Sequence, residues 1–367
     1  MKSTALRKNV AAPLSIIRKR RPKASVVFDS YWKFATERQT VFNKRVVGEI
    51  GPWTNDPILR AHKFTNAYRA SDRVSQYLIK NVLYSGSFDA ENTIFRTLLF
   101  KIFNKIETWE LLESGLEKEI SLNTFNVPEY SRLLEAAKAS KRSIYSAAYI
   151  MPSGASSNGV RTGSKHRFHL ELLKSLEKNG FFSQISHAKS MKEGYELLLS
   201  LPSIGPFLAY QYITDLNYSA HFDYSEQEFV IPGPGARDGI RKCFTDFGDY
   251  SEIDIIRMMS EEQEANFDRL NLPFESLWGR PLQLIDCQNL FCEVDKYARV
   301  KHPEIIGRTG RSRIKQKFQP TTPSLNLPWY PPKWGINARV SEFQRSIIDR
   351  TTQETFSFEQ KSLKLFA

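Results

Sequence analysis

Apolar residues recur at helical spacing along most of this 367-residue chain. Phe28, Tyr31, Trp32 and Ala35 follow the three- and four-residue steps of one helical face, although Ala35 adds little apolar area. Arg69 to Leu83 reads as a second helix, with Val74 and Leu78 on one side and Asp72 and Arg73 on another. A third opens at Ser87-Phe-Asp-Ala-Glu91, whose acidic residues suit a first turn, and runs through Phe95, Leu98, Leu99 and Phe103. Pro128 is placed for the first turn of a helix reaching about Ile150. Helices resume at about 166–178 and 190–200, and the segment 281–300 is a strong one with Leu284, Ile285, Leu290, Phe291 and Val294. No run of alternating strands and no internal repeat interrupts this rhythm, so the pattern predicts an all-α fold.

Three stretches lack the rhythm. Residues 1–25 are basic and poorly patterned, a candidate flexible arm. Met151 to Lys165 is rich in Gly and Ser and is a candidate break, near 151–165, between two lobes of a helical body spanning 26–300. The extension 301–367 is basic and carries Pro320, Pro323, Pro328, Trp329, Pro331, Pro332 and Trp334, which suits a segment that wraps the body without regular structure.

Composition narrows the class. Apolar residues make up 41% and aromatics 13%, enough for a sizeable core and too much for a disordered chain. No uncharged apolar run is long enough to span a bilayer. Three cysteines and six histidines give neither a disulfide framework nor a metal-ligand spacing. The basic N-terminus lacks an apolar region followed by a cleavage site, so the reading is a cytoplasmic, monomeric protein with no metal and no cofactor. The net charge of +12 points to a polyanionic partner, with DNA the leading candidate. The charge is concentrated in Arg7, Lys8, Arg18, Lys19, Arg20, Arg21 and Lys23, and again in Lys296, Arg299, Lys301, Arg308, Arg311, Arg313, Lys315 and Lys317. Such side chains neutralise phosphates and release counterions. A solvated surface is the plainer reading of the first run.

The most informative local stretch is Leu199-Ser-Leu-Pro202-Ser-Ile-Gly205-Pro-Phe-Leu-Ala209. A helix ends near Leu201, a Gly-containing turn follows, and another helix starts near Pro206. This resembles the helix-hairpin-helix motif, in which amides at a helix N-terminus hold a DNA phosphate without any side chain. An ordinary connection within a bundle would use the same residues. In helix-hairpin-helix base-excision glycosylases the resemblance implies a catalytic Asp about twenty residues beyond the hairpin Gly, and Asp223 lies eighteen beyond Gly205. A carboxylate there would stabilise positive charge on the sugar or activate water. The usual Val-Asp-Thr setting is absent. Phe207 stands where bifunctional members carry a Schiff-base lysine, so no lyase step is implied. Three cysteines cannot build the four-Cys iron–sulfur loop of some members.

Further segments resemble a narrower group, the helical domains found with 5-hydroxymethyluracil DNA kinases and the α-glutamyl/putrescinyl thymine pyrophosphorylases of phage base hypermodification. They are Phe64-Thr-Asn-Ala-Tyr-Arg69-Ala-Ser-Asp72-Arg73-Val-Ser-Gln76, Ile94-Phe-Arg96, Phe100-Lys-Ile-Phe-Asn104 and Glu107-Thr-Trp109. The hairpin, Pro232-Gly-Pro-Gly235-Ala-Arg237-Asp238-Gly239-Ile240 and the run Leu284 to Tyr297 complete them. Together they cover about residues 60–300, and the resemblance implies a two-lobed, glycosylase-like helical fold.

Each motif also has a reading of its own. Arg69, Asp72, Arg73 and Gln76 share one helical face, where the arginines could hold phosphate and Asp72 and Gln76 could orient them or read a base edge. A buried ion-pair network is the alternative. The loop around Gly235 and Arg237 could be a second anion nest, although no Gly-Lys-Ser/Thr follows to make it a Walker loop. Asp286, Asn289, Glu293 and Lys296 form a polar stripe on an otherwise apolar helix, facing either a pocket or solvent. Tyr210, Tyr212, Trp109 and Tyr145 suit a core better than base stacking.

The leading expectation is therefore a monofunctional DNA glycosylase that flips out a modified pyrimidine, in an anti-phage role. Asp223, Asp286 and Glu293 are its candidate catalytic carboxylates. Arg69, Arg73, Gln76, Pro202, Gly205, Gly235, Arg237 and Lys296 are its candidate DNA and phosphate contacts. The alternatives are a transferase displacing pyrophosphate from an activated thymine-like base and a binding module without catalysis. No P-loop is present, which argues against the kinase itself.

Overall fold

Ser25 starts the first helix by accepting a hydrogen bond from the Val27 amide, with Asp29 in the first turn where the helix dipole favours an acid. Helix α1 (Val26–Val46) buries Tyr31, Trp32, Phe34 and Phe42. The computed structural model describes residues 19–147, 164–319 and 327–343. The stretch 151–163, most of the basic arm and much of the tail lie outside these residues.

Among the described residues the fold is helical, and its strands are the short antiparallel pair β1 (Lys23–Ala24) and β2 (Phe244–Asp246). The described end of the expected arm is thus pinned to the body. Arg20 meets Asp246 at 2.8 Å and Arg21 meets Glu262 at 2.5 Å. Helix α2 (Pro57–Ala61) is capped by Asp56. The expected helix from Arg69 to Leu83 is broken: a 3-10 turn (Arg69–Ser71) leads to an extended Asp72, then α3 (Arg73–Tyr77) and a π-helical turn (Leu78–Leu83). Because Asp72 leaves helical geometry (φ −70°, ψ 147°), Arg69 no longer shares a face with Arg73.

Helix α4 (Ala90–Phe103) starts on an Asp89 cap and is buried along most of its length. It packs against α5 (Ile106–Leu116), α7 (Lys165–Lys178) and α8 (Phe181–Ser186). Helix α6 (Val127–Ala139) carries Pro128 in its first turn and ends at Ser140, short of Ile150, as the chain turns through a left-handed Lys141. Helices α9 (Met191–Leu199) and α10 (Pro206–Leu216) form a close hairpin. Gly194 permits the approach, because a Cβ there would lie 2.5 Å from Ile213 Cδ1. Helix α11 (Pro234–Cys243) lies along α14 (Leu284–Lys301), with α12 (Glu252–Glu261) and α13 (Gln263–Arg269) beside them.

Tyr210, Tyr212 and Trp109 are buried in the common core, which also contains a charged joint. Asp215 on α10 is met by Arg69 Nη1 at 2.6 Å and Lys101 Nζ at 3.1 Å, all three side chains being at most 4% exposed. Gln211 and Tyr218 accept further hydrogen bonds from Arg69, and Asn104 accepts one from Lys101. Burial alone would raise the Asp215 carboxyl, but the two cations outweigh it and hold it below its ordinary value.

The described part of the C-terminal extension is laid over this body. The Lys63 amide donates to Gln316 O, and the Phe318 amide to Ala61 O. Farther on, the Trp329 amide donates to Gln76 Oε1 at 2.8 Å, and the Tyr330 hydroxyl lies 2.8 Å from Ser71 Oγ.

Candidate functional site

The bend between α9 and α10 faces outward. Leu201 and Ile204 tuck inward, whereas Pro202, Gly205 and Pro206 are exposed. Ser203 takes the left-handed conformation that closes the turn (φ 67°). Gly205 caps α10 without a side-chain hydrogen bond, and a methyl group on it would touch nothing within 4 Å. The positive end of the α10 dipole therefore meets open space at this bend.

The glycine-rich start of α11 serves packing instead. A Cβ on Gly233 would lie 2.7 Å from the Phe207 ring, one on Gly235 2.4 Å from Cys292 Sγ, and one on Gly239 2.0 Å from Phe291 O. Gly235 is thus a packing surface for α14 rather than the expected anion nest. Arg237 pairs with Glu252 at 3.2 Å, tying α11 to α12, and remains half exposed.

Next to this packing seam a half-buried polar cluster joins α14 to the segment before α3. Glu293 Oε2 accepts the Thr65 amide at 3.0 Å and faces Lys296 Nζ at 2.7 Å. Asn289 Nδ2 donates to Thr65 Oγ1 at 3.3 Å. The Asn66 amide donates to Asp72 Oδ1 at 2.8 Å, and Arg38 Nη2 donates to Asn66 Oδ1 at 2.7 Å. The other Arg38 terminal nitrogen, Nη1, is buried without a hydrogen-bond partner among the described residues. Burial pushes the Asp72 carboxyl up to about 7 despite the nearby Arg38 and Arg69 charges. The same cause lowers Arg38 to about 10. Acceptors, amide donors and two cations thus meet in a place of reduced dielectric.

Other candidate residues lie elsewhere. Asp286 is a helix cap: Oδ2 accepts the Gln283 amide at 3.0 Å and Oδ1 accepts the Arg69 amide at 2.8 Å. Burial raises it to about 6. Arg69 is committed to Asp215, so the phosphate role read from its spacing gives way to the buried ion-pair network. Gln76 holds Trp329 and also donates to Ala70 O at 2.7 Å, which leaves its amide occupied within the fold. Arg73 points outward, 3.8 Å from Glu107.

Asp223 does not join a carboxylate pocket. Its side chain is 91% exposed, 3.7 Å from Lys333 Nζ. A carboxylate so well hydrated lacks the low-dielectric surroundings that a catalytic role in glycosidic cleavage needs. Sequence spacing misses Asn66, Arg38 and the Lys101–Asp215 pair. Asn66 stands within the quoted motif but off its helical face, and Arg38 lies on a different helix.

Along this side runs a basic ribbon. Arg308, Arg311, Arg313, Lys315 and Lys317 are all exposed on an extended chain held by the Thr309–Asp238 hydrogen bond at one end and the 61–63 backbone at the other. The ribbon and the cluster share a strut: Lys296 Nζ donates to Lys63 O at 3.3 Å, and Lys63 is the residue that pairs with Gln316. Among the described residues no group of His, Cys, Asp and Glu could hold a metal ion, and no helix is long and apolar enough to cross a membrane.

A helical body carries a cationic ribbon beside a half-buried polar cluster, and its sequence matches one family over most of its length. Residues 25–307 match the family described as 5-hmdU DNA kinase, helical domain, and the chain belongs to that family. A named relative is the 5-hmdU DNA kinase of Bacillus phage SP10, 27% identical over 291 residues. The match covers 74% of this chain and 45% of the relative, so the chain spans less than half the length of the curated relative it matches. No solved structure matches the chain significantly. The expected base-excising glycosylase, and with it the anti-phage excision role, is corrected by these findings, as is the pyrophosphate-displacing transferase. The family and the relative carry the name of a kinase, which transfers phosphoryl groups and neither hydrolyses a glycosidic bond nor attaches an amine.

Proposed function

We propose that this chain takes part in phosphorylating 5-hydroxymethyluracil in DNA, binding the DNA and presenting the base hydroxymethyl group for phosphoryl transfer. The observation that carries this reading is the half-buried cluster of Asn66, Asp72, Asn289, Glu293 and Lys296, beside an exposed cationic ribbon and within the segment that matches the family. A 5-hydroxymethylated pyrimidine offers donors at N3 and the hydroxyl, and acceptors at O2 and O4. The cluster offers complementary carboxylates, amides and an ammonium group. Phosphoryl transfer to a hydroxyl also needs an acceptor for its proton, and a carboxyl poised near neutrality, as Asp72 is, suits that task.

In this reading the exposed bend at Pro202 and Gly205 seats a DNA phosphate on helix-end dipoles, and α9 with α10 acts as a helix-hairpin-helix of glycosylase-like build. Arg73, Arg237 and the ribbon add phosphate contacts, while Glu293 and Lys296 line the base. The sequence holds no Gly-x-x-x-x-Gly-Lys-Ser/Thr loop, so in this reading a separate part of the kinase system holds the nucleotide phosphates.

Fluorescence anisotropy with duplexes differing only in one 5-hydroxymethyluracil against thymine tests it. One additional satisfied hydrogen bond of about 1 kcal/mol corresponds to roughly five-fold tighter binding of the hydroxymethylated duplex. Asp72→Asn or Glu293→Gln should reduce that preference. Equal affinity for the two duplexes overturns the reading.

A further inference from the structure

Beyond the polar cluster, one apolar feature stands beside the ribbon. After α1 ends at Val46, the chain turns through a left-handed Gly48 (φ 77°), and the Glu49 amide donates to Lys44 O at 2.9 Å. The turn then folds over Trp53. Its Nε1 donates to Glu49 O at 2.6 Å, and a Cβ on Gly51 would already sit 3.4 Å from the indole. The Arg45 guanidinium lies 5.1 Å from the same ring, and Phe318, at the end of the ribbon, meets it edge-on at 6.3 Å. Ile50 is thereby held at the tip with 95% of its surface exposed, the most exposed large apolar side chain among those described.

Scattered exposed apolar residues are ordinary. This one is displayed by a turn braced from within by Trp53, and the brace itself touches the chain that carries Lys315 and Lys317. An apolar point fixed beside a row of cations fits a duplex whose phosphates lie on the cations and whose base stack receives the point. We propose that Ile50 is a wedge that enters the base stack and helps extrude the nucleotide to be modified. This rests on the DNA-binding reading above and adds that the substrate is duplex DNA, opened by this loop.

The test uses a duplex carrying 2-aminopurine next to 5-hydroxymethyluracil, with anisotropy and 2-aminopurine emission read on the same sample. Saturating wild-type protein should raise the emission several-fold as the base unstacks. Ile50→Ala should lose more than half of that rise while its Kd changes less than about five-fold and its salt dependence stays the same, and Ile50→Leu should restore the rise. Tight binding with no emission change, or an unaltered rise in Ile50→Ala, overturns the wedge and leaves the DNA-binding reading standing. Absence of binding in the anisotropy channel overturns both.

Discussion

Asp72 shows how burial alters a single residue. In the unfolded chain its carboxyl titrates near 3.9, whereas in the fold it titrates at about 7. Between those values the native chain holds the proton and the unfolded chain does not, so this group favours folding more strongly as pH falls from 7 toward 4. Its contribution is lost as pH rises through 7. Thermal melts of the wild type and Asp72→Asn between pH 5.5 and 8 should therefore converge at high pH less closely than at low pH, with the variant having the higher Tm at pH 8. A variant whose melting curve tracks the wild type at every pH would show that Asp72 is already charged in the fold. Asp286 is raised to about 6 for the same reason, but its two backbone hydrogen bonds make it a worse site for the same substitution.

At the scale of elements, two glycines named by the sequence motifs part company. Gly239 has the Phe291 carbonyl where a Cβ would go, 2.0 Å away, while Gly205 has open space. Gly239→Ala must push α11 off α14, and overpacking of this kind costs about 1–3 kcal/mol or more. Gly205→Ala should leave stability within about 0.5 kcal/mol of wild type, since its backbone lies in the extended region open to any residue (φ −88°). Its methyl group would instead occupy the open space where a phosphate is proposed to sit, so the expected loss is several-fold in DNA affinity. Urea titrations and anisotropy on the two variants separate these outcomes. The contrast also marks what spacing can supply: the glycine pattern was readable as two backbone-exposing turns, yet only one lies open.

At the scale of the whole molecule, the charge of +12 is organised rather than diffuse. Several of the basic residues singled out by the sequence are paired within the chain, Arg69 with Asp215, Arg299 with Asp295 and Arg21 with Glu262. The ribbon from Arg308 to Lys317 stays exposed. If it follows a DNA backbone, replacing Arg311, Arg313, Lys315 and Lys317 with Ala should flatten the plot of log K against log salt by roughly 0.9 for each phosphate that is no longer neutralised. Stability should change little, because these side chains are exposed. A slope that does not move would place the phosphate path elsewhere on the surface.

The chain by itself determined the helical class, the position of most helices, the hairpin around Gly205 and the run of cations that became the ribbon. Each is a local property, set by apolar periodicity, caps and charge along a few residues. Folding decided which charges remain available, because that depends on partners far away in the chain: Arg69 found Asp215, Asp286 found the amides of Gln283 and Arg69, and Asp223 was left in water. The polar cluster has the same origin, since Arg38, Asn66 and Glu293 come from three separate segments. Periodicity describes a face of one helix, whereas a site is the meeting of several, and the energy that selects it resides in the packing between them.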